Sequence, residues 1–340
     1  MGAPGLLESR TRALFDVVTR SAREPRDRIV SNGRRALLDG LAEGTVLLRF
    51  DDPSWDPHRR AQAAGEFAAA GVYHLWDRNR ITYAVHPDLV QMLAGTSSTS
   101  IPGLVWTQLP HTEPLVLLPG ASGQITLPTG ESGRLAGFFT HGRRRDGGLC
   151  PVHDPTRTAL GLLFLIEVNG RREFDIVRTT IDTDQPHSLD EMVTASLARF
   201  QTCDGPPPSA PAWTRYLSTL VGTALSVLLY ACTDNRDLGK VATPAGRRAS
   251  RKPKPGNDIH ALGWQLGPKL YAARIGADRS EVSTGTGREQ QPHQRSHSFR
   301  TYWTGPGRQI PKLRFVLPYW VRLDRVPDPG DMPHRVMRVE

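Results

Sequence analysis

The sequence predicts an α+β protein: N-terminal helices, a predominantly antiparallel β-sheet through the middle and C-terminal region, and one buried helix packed on that sheet. Three observations carry this. Apolar residues recur at helical spacing up to about residue 95. The period then shortens to alternating or continuous apolar runs broken by Gly, Pro and Asp, the pattern of antiparallel strands. A single long apolar stretch, Leu217 to Cys232, interrupts the second half. With 28 prolines and 32 glycines in 340 residues, elements should be short and connections long. The length fits two domains or one large one, and no internal repeat occurs. The expected organisation is a helical region at 1–78, a mixed region with antiparallel strands at 79–205, and a buried helix plus a basic, β-rich region at 206–340.

Taken in order, residues 5–42 read as two helices broken at Pro25, with Leu6, Leu7, Leu14, Val17 and Val18 on one face and Leu37, Leu38 and Leu41 on the next. GTVLLRF is a short strand. DPHRRAQAAGEFAAAG is a helix with Asp56 as N-cap, Pro57 in its first turn and Gly71 after its end. ITYAV is a strand and HPDLVQMLAGT a short helix stopping near Gly95. EPLVLLP, GRLAGFFTH, ALGLLFLIEVNG and REFDIVRTTIDT are strands. Asn169-Gly170 places a tight reversal between the last two, because both residues accept positive φ. HGRRRDGG is a hairpin tip. Ser188 and Glu191 form a capping box for LDEMVTASLARF. DGPPPSAPAW is a linker into the buried helix 213–232, and KVATPAGRRASRKPKPGND a basic loop ordered by a partner if at all. DIHALGWQL, FRTYWTG and KLRFVLPYWVRL are closing strands, with GADRSEVSTGTGREQQ a disordered connection between the first two.

Several classes of chemistry find no support. The three cysteines, Cys150, Cys203 and Cys232, have no CxxC spacing, which argues against both a disulfide framework and a cysteine zinc site. No HExxH, GxSxG or metal-spaced carboxylate pair occurs; GTGREQ lacks the Lys-Ser/Thr of a phosphate loop, and TGPGR precedes no helix. No cofactor is expected. The opening MGAPGLLESRTRALF reaches charge within ten residues, and the stretch Leu217–Cys232 is short and carries hydroxyls. The expectation is a cytoplasmic protein without a membrane span.

Charge is distributed unevenly. Of the net +9, the segment from Arg236 to Glu340 contributes 20 Lys and Arg against 9 Asp and Glu, or +11, leaving −2 for the residues before it. Clustered cations on one region point to a polyanion. The densest cluster is HQRSHSFRTYWTGPGR, in which two histidines, three arginines, three aromatics and two glycines fall within sixteen residues. His293, Arg295, Arg300 and Arg308 would meet phosphates, Tyr302 and Trp303 would offer stacking faces, and Gly305 and Gly307 would let backbone approach a ligand. Arg247, Arg248, Arg251 and Lys252 of the basic loop would extend the same surface.

Four stretches in order carry a resemblance: HPDLVQMLAGTSSTSIPGLVWTQLPHTEPLVLL, LSTLVGTALSVLLYACTDNRDL, ALGWQLGPKL and PHQRSHSFRTYWTGPGRQIPKLRFVLPYWV. Together they span roughly residues 80–321. They resemble a plasmid- and phage-borne family of type V-A anti-CRISPR proteins, the second of that type to be described. The resemblance implies a regulatory protein of a mobile element that shuts off production of the CRISPR effector at its messenger RNA during translation. Its partners would be RNA, a nascent polypeptide on the ribosome, or both. Two positions depart from the family pattern. Ser298 and Phe299 stand where the family has His-Trp, which displaces His297 by one residue and, on a strand, to the other face unless a bulge compensates. Gln265 stands where the family has Arg.

Two alternatives compete with RNA binding. A metal-independent ribonuclease would use His293 and His297 as acid and base near neutral pH. A purely structural interaction module would place Phe299, Tyr302, Trp303 and Trp320 in a two-sheet core, with arginines at whatever positions remain exposed.

Overall fold

The run ITYAV, rich in β-branched and aromatic residues, forms the strand Ile81–Val85 (β1), and helical residues 71–79 (α1) lead into it. The computed structural model describes residues 71–94, 96, 100–118, 123–145, 149–168, 174–185, 187–202, 211–241, 258–267, 293–295, 297–317 and 319–321. The elements expected before residue 71, the proline-rich linker up to residue 210, the basic loop between Val241 and Asp258, and the connection at 276–291 lie outside the described residues. Gly71, expected to follow a helix, is the first described residue of α1, and the helix expected before it lies outside the described residues. Its bareness serves close packing, since a Cβ there would come within 2.9 Å of Leu149 Cδ1.

After β1, His86 caps the helix Pro87–Leu93 (α2) by accepting from the Asp88 amide, with Pro87 in the first turn. A 3₁₀ turn spans Gly103–Gln108. The strands Leu115–Leu117 (β2), Gln124–Thr126 (β3), Ser132–Arg144 (β4), Leu149–Cys150 (β5), Arg157–Val168 (β6) and Phe174–Asp182 (β7) follow. HGRRRDGG is thus divided: His141–Arg144 belong to β4, and the return to β5 comes after them. β6 and β7 pair antiparallel as expected, with Glu167 opposite Phe174; the reversal expected at Asn169-Gly170 lies outside the described residues. The helix Leu189–Leu197 (α3) begins with the anticipated capping box: the Ser188 hydroxyl accepts from the Glu191 amide and the Glu191 carboxylate accepts from the Ser188 amide. Gln201–Thr202 (β8), the helix Pro211–Cys232 (α4), Leu238–Lys240 (β9) and Asp258–Leu262 (β10) complete the main sheet and its cover.

The sheet has ten strands in the order β8-β7-β6-β4-β2-β1-β10-β9, with β3 and β5 also paired to β4. β1 lies parallel to both β2 and β10, and the other pairings are antiparallel. The fold is therefore α+β with a mixed, mostly antiparallel sheet. β4 and β6 are buried along most of their length, which explains why their sequences read as continuous apolar runs rather than alternations. On one face, α4 buries Leu217, Leu220, Val221, Ala224, Leu225 and Leu228 in the same core as Val116, Phe138, Leu162 and Phe164. Full burial of each such leucine is worth about 1.5–3 kcal/mol, and α4 supplies the core's largest helical share. α4 is also the one described helix long and apolar enough to cross a membrane, yet 72% of its most apolar window is buried inside the fold. On the opposite face, α1 covers the sheet with Val72, Tyr73 and Trp76 against Leu115, Leu117, Phe139, Leu163 and Leu165.

The C-terminal strands form two small ribbons. His293–Arg295 (β11) pairs with Tyr319–Val321 (β14), and Ser298–Thr304 (β12) pairs with Ile310–Val316 (β13). The run KLRFVLPYWVRL, expected as one strand, is therefore two, each in a different ribbon. Its Pro318 has no N–H to continue a ladder.

Candidate nucleic-acid interface

The two faces of the β12–β13 ribbon follow from alternation. Phe299, Leu313 and Phe315 point into the core that holds α4, with Phe299 and Phe315 in ring contact at 5.3 Å and Phe315 against Tyr230 at 5.4 Å. The opposite face pairs Arg300 with Arg314, Tyr302 with Lys312 and Thr304 with Ile310. Arg300, Lys312 and Arg314 are exposed, and none forms an ion pair among the described residues. Like charges directly opposite across a ribbon oppose pairing. The ribbon tolerates them because its other face is anchored in the core.

The ribbon's turn is set by Gly305 at φ 77° and Gly307 at φ 66°, with Arg308 exposed at φ 54°. These two glycines serve the reversal, which their positive φ angles require. The outer edge of β13 is stitched to the rest of the molecule. The Asp234 amide donates to Leu313 O at 2.9 Å, the Asn235 side chain donates to Phe315 O at 2.8 Å and accepts from its amide at 3.0 Å, and Gln108 Nε2 donates to Pro311 O. Tyr302 donates its hydroxyl to the Asp234 carboxylate. The edge strand is thereby blocked against pairing with another chain.

Between this seam and the 3₁₀ turn lies a cleft of about 640 Å³, lined by Leu104, Thr107, Gln108, Asp234, Arg236, Gln309, Ile310, Pro311 and Lys312. The 3₁₀ turn is fixed from behind: Val105 and Trp106 are buried, Thr107 Oγ1 donates to Leu104 O at 2.7 Å, and at Gly103 a Cβ would fall 1.8 Å from Thr183 O. That fixing pushes Leu104 outward. The exposed large hydrophobic residues among those described are Leu104 at 58%, Ile310 at 52% and Trp303 at 48%, and all three belong to this corner. Trp303, expected in the core on the structural alternative, is thus exposed, although its position in the alternation is that of Phe299 and its cross-strand partner Pro311 is buried.

Placement of the anticipated site residues is mixed. Arg300, Tyr302, Trp303 and Arg308 come together on the β12–β13 ribbon. His293 and Arg295 lie on the other ribbon, where only their backbone pairing is described. Arg247, Arg248, Arg251 and Lys252 fall outside the described residues. His297 precedes β12 with its ring 6.0 Å from that of Phe315, and Nε2 is buried without a hydrogen-bond partner among the described residues. Burial holds its pKa below the usual histidine range. Its position matches the face of Phe299, as the one-residue displacement implies. Gln265 is exposed, and its backbone amide donates to Asp237 at 2.5 Å.

Sequence inspection missed Leu104, Gln108, Asp234, Arg236, Lys312 and Arg314. It also missed a second polar constellation at the parallel strands. Tyr83 Oη lies 2.8 Å from His111 Nδ1, and the His111 and His260 rings are 4.5 Å apart. Burial, reinforced by His260, brings the His111 pKa down to about 4. Among the described residues no group of three His, Cys, Asp or Glu side chains is placed to hold a metal ion.

The fold and the ribbon define a class: an α+β protein that presents a cationic, partly apolar surface on a C-terminal ribbon. Residues 83–323, over two thirds of the sequence, match the model of the AcrVA2-like family, described as the anti-CRISPR type V subtype A2 family. The chain belongs to that family. A solved structure titled "Crystal structure of AcrVA2" is similar at 16% identity and a TM-score of 0.39, covering 94% of this chain and 98% of that one. No curated protein matches the sequence.

Proposed function

We propose that this member of an anti-CRISPR family acts as a regulatory binding protein that engages RNA through the outer face of the β12–β13 ribbon and so lowers expression of its target gene in the cytoplasm. The observation that carries the proposal is the exposed set Arg300, Lys312 and Arg314, cations facing solvent with no acidic partner among the described residues. Such a row releases counterions on meeting phosphates, so affinity depends strongly on salt. Arg308 at the turn extends the row. The ribonuclease alternative draws less support, because His297 offers a half-buried, depressed imidazole beside Phe315 rather than one poised near neutral pH. Fluorescence anisotropy with a labelled single-stranded RNA tests the proposal. Affinity should fall steeply between about 50 and 200 mM salt; no binding, or a flat response, refutes it.

A further inference from the structure

We infer that the cleft beside the ribbon holds an unpaired nucleobase, so that the RNA taken by this surface is single-stranded. The inference rests on the RNA-binding role proposed above and adds the form of RNA. Cations alone would suit any polyanion, duplex included. The corner, however, combines them with exposed apolar surface: Leu104 and Ile310 wall the cleft, and Trp303 lies on the ribbon beside it. A duplex hides its base faces and offers phosphates and groove edges, so those apolar side chains would gain nothing from it. A single strand offers both phosphates and flat apolar faces, which matches the two kinds of surface found side by side.

The cleft's polar groups complete the match. Arg236 and Lys312 are donors, and Asp234 and the Gln108 carbonyl are acceptors. Gln108 spends an amide hydrogen on Pro311 O, and Arg236 donates to Thr233 O at 2.9 Å, so both side chains are held in place. Donors and acceptors in one cleft suit the hydrogen-bonding edge of a base, which carries both. Its volume of about 640 Å³ exceeds what one base fills and lies in the usual range for small-molecule sites. Lys312 is common to the cleft and the cationic face, so a base in the cleft and its flanking phosphates on Arg300 and Arg314 belong to one continuous strand.

The test uses the full-length protein and three fluorescein-labelled probes: a ten-nucleotide RNA strand, its blunt duplex, and the strand with an abasic central nucleotide. The wild type should prefer the intact strand over the duplex and over the abasic strand by roughly tenfold, as expected for one well-held base. Thr107→Trp fills the cleft from an exposed position, and Leu104→Ser removes one wall; each should abolish that preference while leaving salt-sensitive binding. Arg300→Ala should weaken all three probes by a similar factor. Equal binding of strand, duplex and abasic strand by the wild type overturns the inference but not the RNA-binding role. Undiminished preference in both cleft variants does the same. Failure of every probe to bind overturns the role and the inference together. Displacement of the intact strand by an acidic, leucine-rich peptide, blocked in Thr107→Trp, would assign the cleft to a polypeptide instead.

Discussion

Arg300 and Arg314 stand directly opposite one another across an antiparallel ribbon, two exposed guanidinium groups where a stable hairpin would place opposite charges. The arrangement costs stability locally and concentrates positive potential on one face. Arg300→Glu should therefore move the two properties in opposite directions. A cross-strand ion pair with Arg314 should stabilise the fold by about 0.2–1 kcal/mol, read as a raised urea midpoint. RNA affinity should drop by about 1 kcal/mol or more, with a shallower salt dependence. A variant that loses both stability and affinity would show that the pair is structural.

Phe299 and Trp303 are both aromatic residues of β12, yet they should behave differently. Phe299 is 5% exposed in the core, so Phe299→Ala should cost about 3–5 kcal/mol. Trp303 is 48% exposed, and Trp303→Ala should leave the unfolding midpoint nearly unchanged while reducing RNA affinity. Chemical denaturation of the two variants side by side checks the contrast.

Leu225 is fully buried in α4. Leu225→Asp should eliminate soluble protein, because an unpaired carboxylate there costs several kcal/mol. Recovery of the wild type mainly from detergent-extracted membranes would contradict the burial of α4 within the fold.

His141 is buried in β4, with Nδ1 3.0 Å from Gly142 O and its ring lying where a Cβ on Gly161 would come within 2.1 Å. Burial lowers its pKa to about 4. The unfolded chain therefore takes up the proton first as pH falls. The stabilisation is complete above about pH 6.5 and is lost on acidification toward pH 4, at up to about 1.4 kcal/mol per unit. His141→Gln should flatten this part of the stability profile, measured as urea midpoints at pH 7.5 and 5.0. An unchanged slope would show that His141 does not titrate on unfolding. Gly161→Ala should destabilise at every pH.

Much of the fold was legible because the signals are local. Ser188 and Glu191 three residues apart specify a cap whatever lies elsewhere, and the apolar run in α4 can only be buried or membrane-spanning. What escaped is long-range. Nothing near ITYAV or DIHAL says that they lie side by side in parallel, because that pairing depends on partners more than 170 residues apart. Gly71 illustrates a different limit: a glycine can end a helix or admit a neighbour, and Leu149 is too distant in sequence to decide between them. For the candidate site, Arg300 and Arg308 stood out by density. Leu104 and Ile310 did not, since an apolar residue gives no sign of exposure until the turn and the ribbon are both in place.

The parallel pairing of β1 with β10 has a consequence for how the molecule is made. Until Asp258–Leu262 has been synthesised, β1 is bordered on one side only, and its Ile81–Val85 backbone presents an open edge next to β2. A chain growing from its N-terminus must carry that edge through most of its synthesis, and the closure of so long a loop makes completion of the sheet late and slow. Trp264 then donates to Ala84 O at 3.0 Å, a latch just beyond the closing strand. Shortened forms ending before residue 258 should thus be the aggregation-prone species of this protein, and a peptide spanning β10 added in trans should be able to protect them.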